Sequence, residues 1–311
     1  MTRTRSLIKV FRLLAICGLS IAFSSVAGAQ TYTQVDYPGG CPGNTFLAGG
    51  PDPQGTSVGT YFDLATCSIG HGFMLTAKGV FTTIDPPGSI YTAPGFISPQ
   101  GVVVGSYNDN SPANVSHGFI LDGMKYTVVD APGAAGTVLV GISPSGEISG
   151  FTCSDPACGN FGAPTTSHSF VISKKGDYTF FDPPGAISSS TSTVSPSGTI
   201  VGNYRDTVGE LRHGYLLKNG KYTTIDFPGA LYGTFAGGGN PQNDIVGEYN
   251  FRAICPADCN HAFLVHNGVF TSFDYPSATV FITQGTGISP TGVIVGVFGD
   301  ATGFHGFIRT P

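Results

Sequence analysis

Histidine, aspartate and cysteine carry most of the chemistry open to this chain, and all three follow a pattern. Six histidines open short triplets at His71, His117, His168, His213, His261 and His305. Six aspartates begin turns of the form Asp-x-Pro-Gly/Ser, at Asp36, Asp85, Asp130, Asp182, Asp226 and Asp274. Imidazole beside carboxylate suits metal ligation or general acid–base work. A pair present in every copy of a repeat answers a need that every copy has, however. The expectation is structural: each His ring bonds to neighbouring backbone or to the turn Asp, and the Asp accepts backbone N–H groups at its turn. No Gly-x-Ser-x-Gly elbow, His-Glu-x-x-His, phosphate-binding Gly-x-x-x-x-Gly-Lys or dinucleotide fingerprint occurs, and there is no Trp. No catalytic, cofactor-binding or metal residue is assigned from the sequence.

A third phrase, Val-Gly-x-Tyr and its variants, appears at Gly59, Gly105, Gly150, Gly202, Gly247 and Gly296, after turns such as Ser143-Pro144-Ser145-Gly146. The three phrases recur six times at spacings of 44 to 52 residues. Each unit divides into four short strands, in the fifth Thr234–Gly238, Asp244–Tyr249, His261–Val265 and Val269–Asp274. Asn267-Gly268 makes the tight hairpin turn between the last two. Gly and Pro number 68 of 311 residues and charged residues are 11%, which suits short strands and turns far better than helix. Four antiparallel strands per repeat of this length predict an all-β, six-bladed β-propeller. Tyr32-Thr33-Gln34-Val35-Asp36 reads as a fourth strand without its first three, and His305-Gly306-Phe307-Ile308 as a third without its fourth. The N-terminal strand is therefore expected to complete the last blade and close the ring.

Residues 1–29 read as a signal peptide: Arg3, Arg5, Lys9 and Arg12, an apolar run from Leu13 to Val26, then Ala27-Gly28-Ala29. One domain, residues 30–311, is expected to be secreted or periplasmic. Removing the four basic residues changes the formal charge from −5 to −9. Such acidity disfavours nucleic acid and anionic lipid as partners, and no second apolar segment suggests membrane insertion. A monomer without a cofactor is expected. Six cysteines remain, which in an oxidising compartment points to disulfides. Cys153 and Cys158 share one loop, and Cys255 and Cys259 share the equivalent loop of a non-adjacent blade, so bridges within each loop are expected. Elimination leaves Cys41–Cys67. A four-thiolate zinc site would require non-adjacent blades to converge.

Strand alternation sends the long loops, Cys153–Ser167, Arg205–Arg212 and Arg252–Asn260, to one face, the expected ligand face. First strands begin at Thr92, Thr137, Ser189, Thr234 and Thr283, which suggests hydroxyls near the channel mouth as ligand contacts. Arg205, Glu210, Arg212 and Arg252 interrupt the repeat and join that candidate set. Asp63, Asp109, Asp206 and Asp300 follow the second strands; they lack calcium-loop spacing and read as solvated turn residues. The function expected is a non-catalytic binding or structural module for an extracellular glycan or protein. The alternative is a carbohydrate hydrolase or lyase, which needs non-repeated acids converging at the axis.

The triplet His261-Ala262-Phe263, with looser copies such as His71-Gly72-Phe73 and His168-Ser169-Phe170, resembles the bacterial extracellular HAF repeat family. The resemblance spans the mature chain. It implies export and a bacterial source, and it implies no activity.

Overall fold

The computed structural model describes residues 30–158, 166–195, 197–206, 211–250, 260–278 and 282–311. Every regular element among them is a β-strand, and none is a helix able to cross a membrane. The first strand, β1 (Thr31–Val35), stands apart from those that follow it. The first unit is β2 (Gly40–Gly49), β3 (Ser57–Asp63), β4 (Gly70–Leu75) and β5 (Phe81–Ile84). The second is β6 (Ser89–Ile97), β7 (Val103–Asp109), β8 (Ser116–Asp122) and β9 (Lys125–Val129). The third is β10 (Gly136–Ile142), β11 (Ile148–Cys153), β12 (Ser167–Ile172) and β13 (Tyr178–Phe181). The fourth is β14 (Ala186–Val194), β15 (Ile200–Asp206), β16 (Arg212–Lys218) and β17 (Lys221–Ile225). The fifth is β18 (Gly233–Gly239), β19 (Ile245–Asn250), β20 (Asn260–His266) and β21 (Val269–Phe273). The sixth has β22 (Thr283–Ile288), β23 (Ile294–Asp300) and β24 (Gly303–Thr310).

Within each unit consecutive strands pair antiparallel. β1 supplies the sixth unit's fourth strand, pairing β24 from Thr31↔Thr310 to Val35↔Gly306. The first strands neighbour one another in the order β2, β6, β10, β14, β18, β22, and β22 in turn neighbours β2. Each first strand carries a bulge at the same place, for example between Leu47 and Gly49 and between Ala236 and Gly238. A bulge sharpens the local twist and bends the strand.

The repeated phrases follow from this packing. At Gly247 a Cβ would lie 2.0 Å from the Phe235 carbonyl oxygen and 2.8 Å from the ring of Phe263. Gly59 stands in the same relation to Phe46 and Phe73. The ring of each His-x-Phe triplet thus lies across the second strand, and only Gly leaves room for it. The valine before that Gly faces the next unit. Val58 packs with Ile97 and Phe119, Val201 with Ala236 and Phe263, and Val246 with Ile288 and Phe307. Val295 of the sixth unit packs with Leu47 and Phe73 of the first. Burying such a side chain stabilises by roughly 1.5–3 kcal/mol. The turn serine accepts the backbone N–H four residues on, as Ser143 does from Glu147 at 3.0 Å and Ser289 from Val293 at 3.1 Å. Asp52 and Asn240 take that role in the first and fifth units.

Candidate functional site

The six His–Asp pairs form as expected, with Nδ1–carboxylate distances of 2.6 to 2.9 Å. In five units the aromatic side chain two residues after the second-strand Gly stacks on the His: Tyr61, Tyr107, Tyr204, Tyr249 and Phe298, at centroid distances of 5.0 to 5.5 Å. Each triad of ring, imidazole and carboxylate ties three strands of one unit together. Burial and the neighbouring Tyr37 phenol push the Tyr61 hydroxyl up to about 12, although a hydrogen bond with Thr83 opposes this.

Three of the carboxylates after the second strands, Asp63, Asp109 and Asp300, are hydrogen-bonded by their own loops. Asp63 accepts from the Thr66 hydroxyl at 2.7 Å and from the Thr66 and Ile69 N–H groups, which holds its carboxyl down to about 2. Asp109 and Asp300 are lowered in the same way, chiefly by Ser111 and Thr302. Asp206 lies 3.6 Å from Nε2 of His213. No three potential metal-ligating side chains converge among the described residues.

The five first-strand hydroxyls are not at the mouth. Thr92, Thr137, Ser189, Thr234 and Thr283 are 0–2% exposed. Thr137 accepts the Ala131 N–H at 2.9 Å, Thr234 that of Phe227 at 2.9 Å and Thr283 that of Tyr275 at 3.2 Å. Thr45 of the first unit, missed in the sequence, does the same for Tyr37. Each donor is the x residue of an Asp-x-Pro-Gly/Ser turn, so these hydroxyls pin the turn to the strand after it. In the second and fourth units that residue is Pro86 or Pro183, which has no N–H. The Thr92 hydroxyl accordingly has no hydrogen-bond partner, and that of Ser189 turns to Asp182 and Ser169 instead. The physical reason is strand parity: successive side chains alternate faces, and the more accessible residue is the next one along.

One step along lie Phe46, Ala93, Val138, Ser190, Phe235 and Gln284, all partly accessible. Where a third strand meets the next unit's first strand, single parallel bridges form: Phe304 with Asn44, Gly70 with Tyr91, Arg212 with Gly233, and Asn260 with Ile282. These bridges are at the long-loop end. The six units share few side chains there, and the rim divides into two chemistries. On one side Phe46 lies 5.5 Å from Phe304 and 6.2 Å from Phe62, and Phe62 lies 6.1 Å from Tyr91. On the other side Asn260 donates to the Glu248 carboxylate at 2.6 Å, and Gln284 bonds to it as well. Burial raises the Glu248 carboxyl; the Asn260 and Gln284 bonds and the Arg212 guanidinium act against that rise. Arg212 is exposed and directly opposite Arg205 on the adjacent strand. Of the predicted cations, Arg205 and Arg212 thus come together beside this cluster. Arg252 and Glu210 lie outside the described residues. Glu248 was missed, yet a signal existed: the residue after the second-strand Gly is Thr60, Ser106, Phe151, Asn203, Glu248 or Val297, and Glu248 alone of these is ionisable.

At the other end the short turns converge. Pro51, Pro99, Pro144, Ser195, Pro241 and Pro290, one from each unit, line a cavity of about 70 Å³. That narrow apolar neck offers little to a polar ligand. Two bridges lie towards the long-loop end, Cys41–Cys67 and Cys153–Cys158, as predicted. Cys255 and Cys259 lie outside the described residues.

The chain matches no protein-family model and no curated protein. Solved structures of similar shape exist. A TolB-type protein from Agrobacterium tumefaciens shares 15% identity, covering 86% of this chain and 91% of its own, with a TM-score of 0.58. A gluconolactonase from Xanthomonas campestris shares 10%, covering 86% and 87%, at 0.51. The β-propeller domain of the trilobed protease from Pyrococcus furiosus, described as having an open velcro topology, shares 12%, covering 86% and 84%, at 0.52. Likeness at such identity speaks for the fold alone, and with the all-strand architecture it shows that this chain has a β-propeller-like fold.

Proposed function

We propose that this is an exported, six-bladed β-propeller that binds a glycan, without catalysis, at the long-loop mouth of its axis. The blade count and ring closure are supported by the cyclic order of the first strands, the β1–β24 pairing and the neck lined by all six units. Export is supported by the two disulfides and by the signal-like first 29 residues. The resemblance to the HAF repeats is consistent with the same compartment.

The observation that carries the ligand class is the divided rim. Sugar rings present apolar C–H faces and hydroxyl edges. Phe46, Phe62, Tyr91 and Phe304 offer stacking surfaces, while Glu248, Asn260, Gln284 and Arg212 offer fixed acceptors and donors a few residues away. Binding is favoured over hydrolysis because glycoside cleavage uses two carboxyl groups about 5–9.5 Å apart. Among the described residues Glu248 is the one carboxylate hydrogen-bonded within that cluster. The test is an oligosaccharide array probed with the oxidised protein, followed by calorimetry on the best ligand. Glu248→Ala and Phe46→Ala should each weaken binding about tenfold or more, and product analysis should find the sugar intact. No sugar bound, or affinity unchanged in both variants, would overturn the reading; released product would replace it with the hydrolase.

A further inference from the structure

We infer that the third unit carries a separate binding slot for one apolar aromatic ring, formed where the repeat's own ring is missing. In five units a Tyr or Phe two residues after the second-strand Gly stacks on the His, and in the first, fifth and sixth it also stacks on the x residue of the preceding Asp-x-Pro turn, Tyr37, Phe227 or Tyr275. The third unit has Thr152 there. What remains is an open cavity of about 340 Å³ between Pro132, Gly133 and Ala134 on one wall and His168, Asp182 and Phe180 on the other. The consequence shows in the imidazoles. The His168 side chain is 56% exposed, against 6–29% for the other five. His168 still bonds Asp182 through Nδ1 at 2.8 Å, so the ring that five units stack upon is held in place and bare.

The floor of the slot has changed with it. In the first, fourth and fifth units the tyrosine hydroxyl meets Thr83, Thr224 or Ser272 on the fourth strand. The third unit has Phe180 at that position, 47% exposed. An aromatic platform replaces the hydroxyl, so the ring that fits is apolar at its far edge. The five filled units display the geometry of the complement: a ring about 5 Å from the imidazole. The ring's source is either a small aromatic molecule or the phenylalanine side chain of a polypeptide.

The test is NMR titration of the oxidised protein, following the His168 and Phe180 ring signals with benzyl alcohol and, separately, N-acetylphenylalaninamide. Saturable ring-current shifts at those two residues, with the other five repeat histidines unmoved, are expected for at least one probe. Benzyl alcohol binding assigns a small aromatic molecule; binding by the amide alone assigns a polypeptide side chain. Thr152→Tyr should fill the slot from within and weaken the probe about tenfold or more. Phe180→Ser, which leaves the strand intact, should weaken it in the same direction. No saturable shift with either probe, or equal binding by wild type and both variants, would overturn the assignment. This slot does not depend on the axial mouth, and its failure would leave the glycan reading untouched.

Discussion

Two substitutions that look alike should have opposite effects. Thr137 and Thr92 occupy equivalent first-strand positions, and both are buried. Thr137→Val keeps the shape but removes the acceptor of the Ala131 N–H, itself buried. Leaving that donor unpaired should cost about 1–3 kcal/mol. Thr92 has no such bond, because Pro86 supplies no N–H and the hydroxyl is buried without a partner. Thr92→Val exchanges an unsatisfied hydroxyl for a methyl group and should stabilise by about 1 kcal/mol. In a domain of this size each kcal/mol moves Tm by about 2–4 °C, so the two variants should melt at least about 4 °C apart. Calorimetry on oxidised protein at pH 7, with urea unfolding to check that the slope is unchanged, gives the answer. Equal losses in both variants would refute the account of the turn; so would a neutral Thr137→Val.

Other outcomes follow from the same structure. Glu248→Gln keeps the hydrogen-bonding edge and removes a charge that partial burial disfavours, so it should raise stability at pH 7. The raised folded-state pKa means the wild-type carboxylate costs stability only above its unfolded value, so in urea titrations the gain should vanish below about pH 4. Asp63, held at about 2, contributes stability above its unfolded pKa of about 4 that is lost as the pH falls towards 2; Asp63→Asn should flatten that part of the acid denaturation curve. Replacing Cys41 and Cys67 by Ser opens a bridge between residues 26 apart and should cost about 3.5 kcal/mol in the chain-entropy model. The same change at Cys153 and Cys158, 5 apart, should cost about 2 kcal/mol, measurable by denaturant unfolding of each pair.

The repeated residues were legible in the sequence because a need shared by every unit is written six times. His213 and Asp226 could be paired by inspection, and Cys41 could be assigned to Cys67 by asking which loops share a face. The hydroxyls failed for a reason intrinsic to strands, whose faces alternate at each residue. Counting from the turn identified Thr137 and Thr234 correctly as equivalent but assigned them the wrong face. The bulge in each first strand, invisible in composition, shifts the count beyond it as well. Glu248 was hidden for the opposite reason. It occurs once, and its importance depends on Asn260 and Gln284, which come near it only through a neighbouring strand and the next unit. Thr152 was equally silent until the five rings at its sister positions were seen to stack on histidine.

The register of β1 on β24 has a mechanical consequence. Thr31 lies opposite Thr310 and Val35 opposite Gly306, so both outer ends of the pair point the same way. A pull applied between residues 30 and 311 would load the hydrogen bonds one at a time from the Thr31 end, peeling the strand like a zipper. A pull applied between residue 30 and Gly303, at the far end of β24, would load all five residue pairs together in shear and meet far greater resistance. Tethered by both ends, the molecule should open at its seam under small force and re-form when released, the other five units remaining folded.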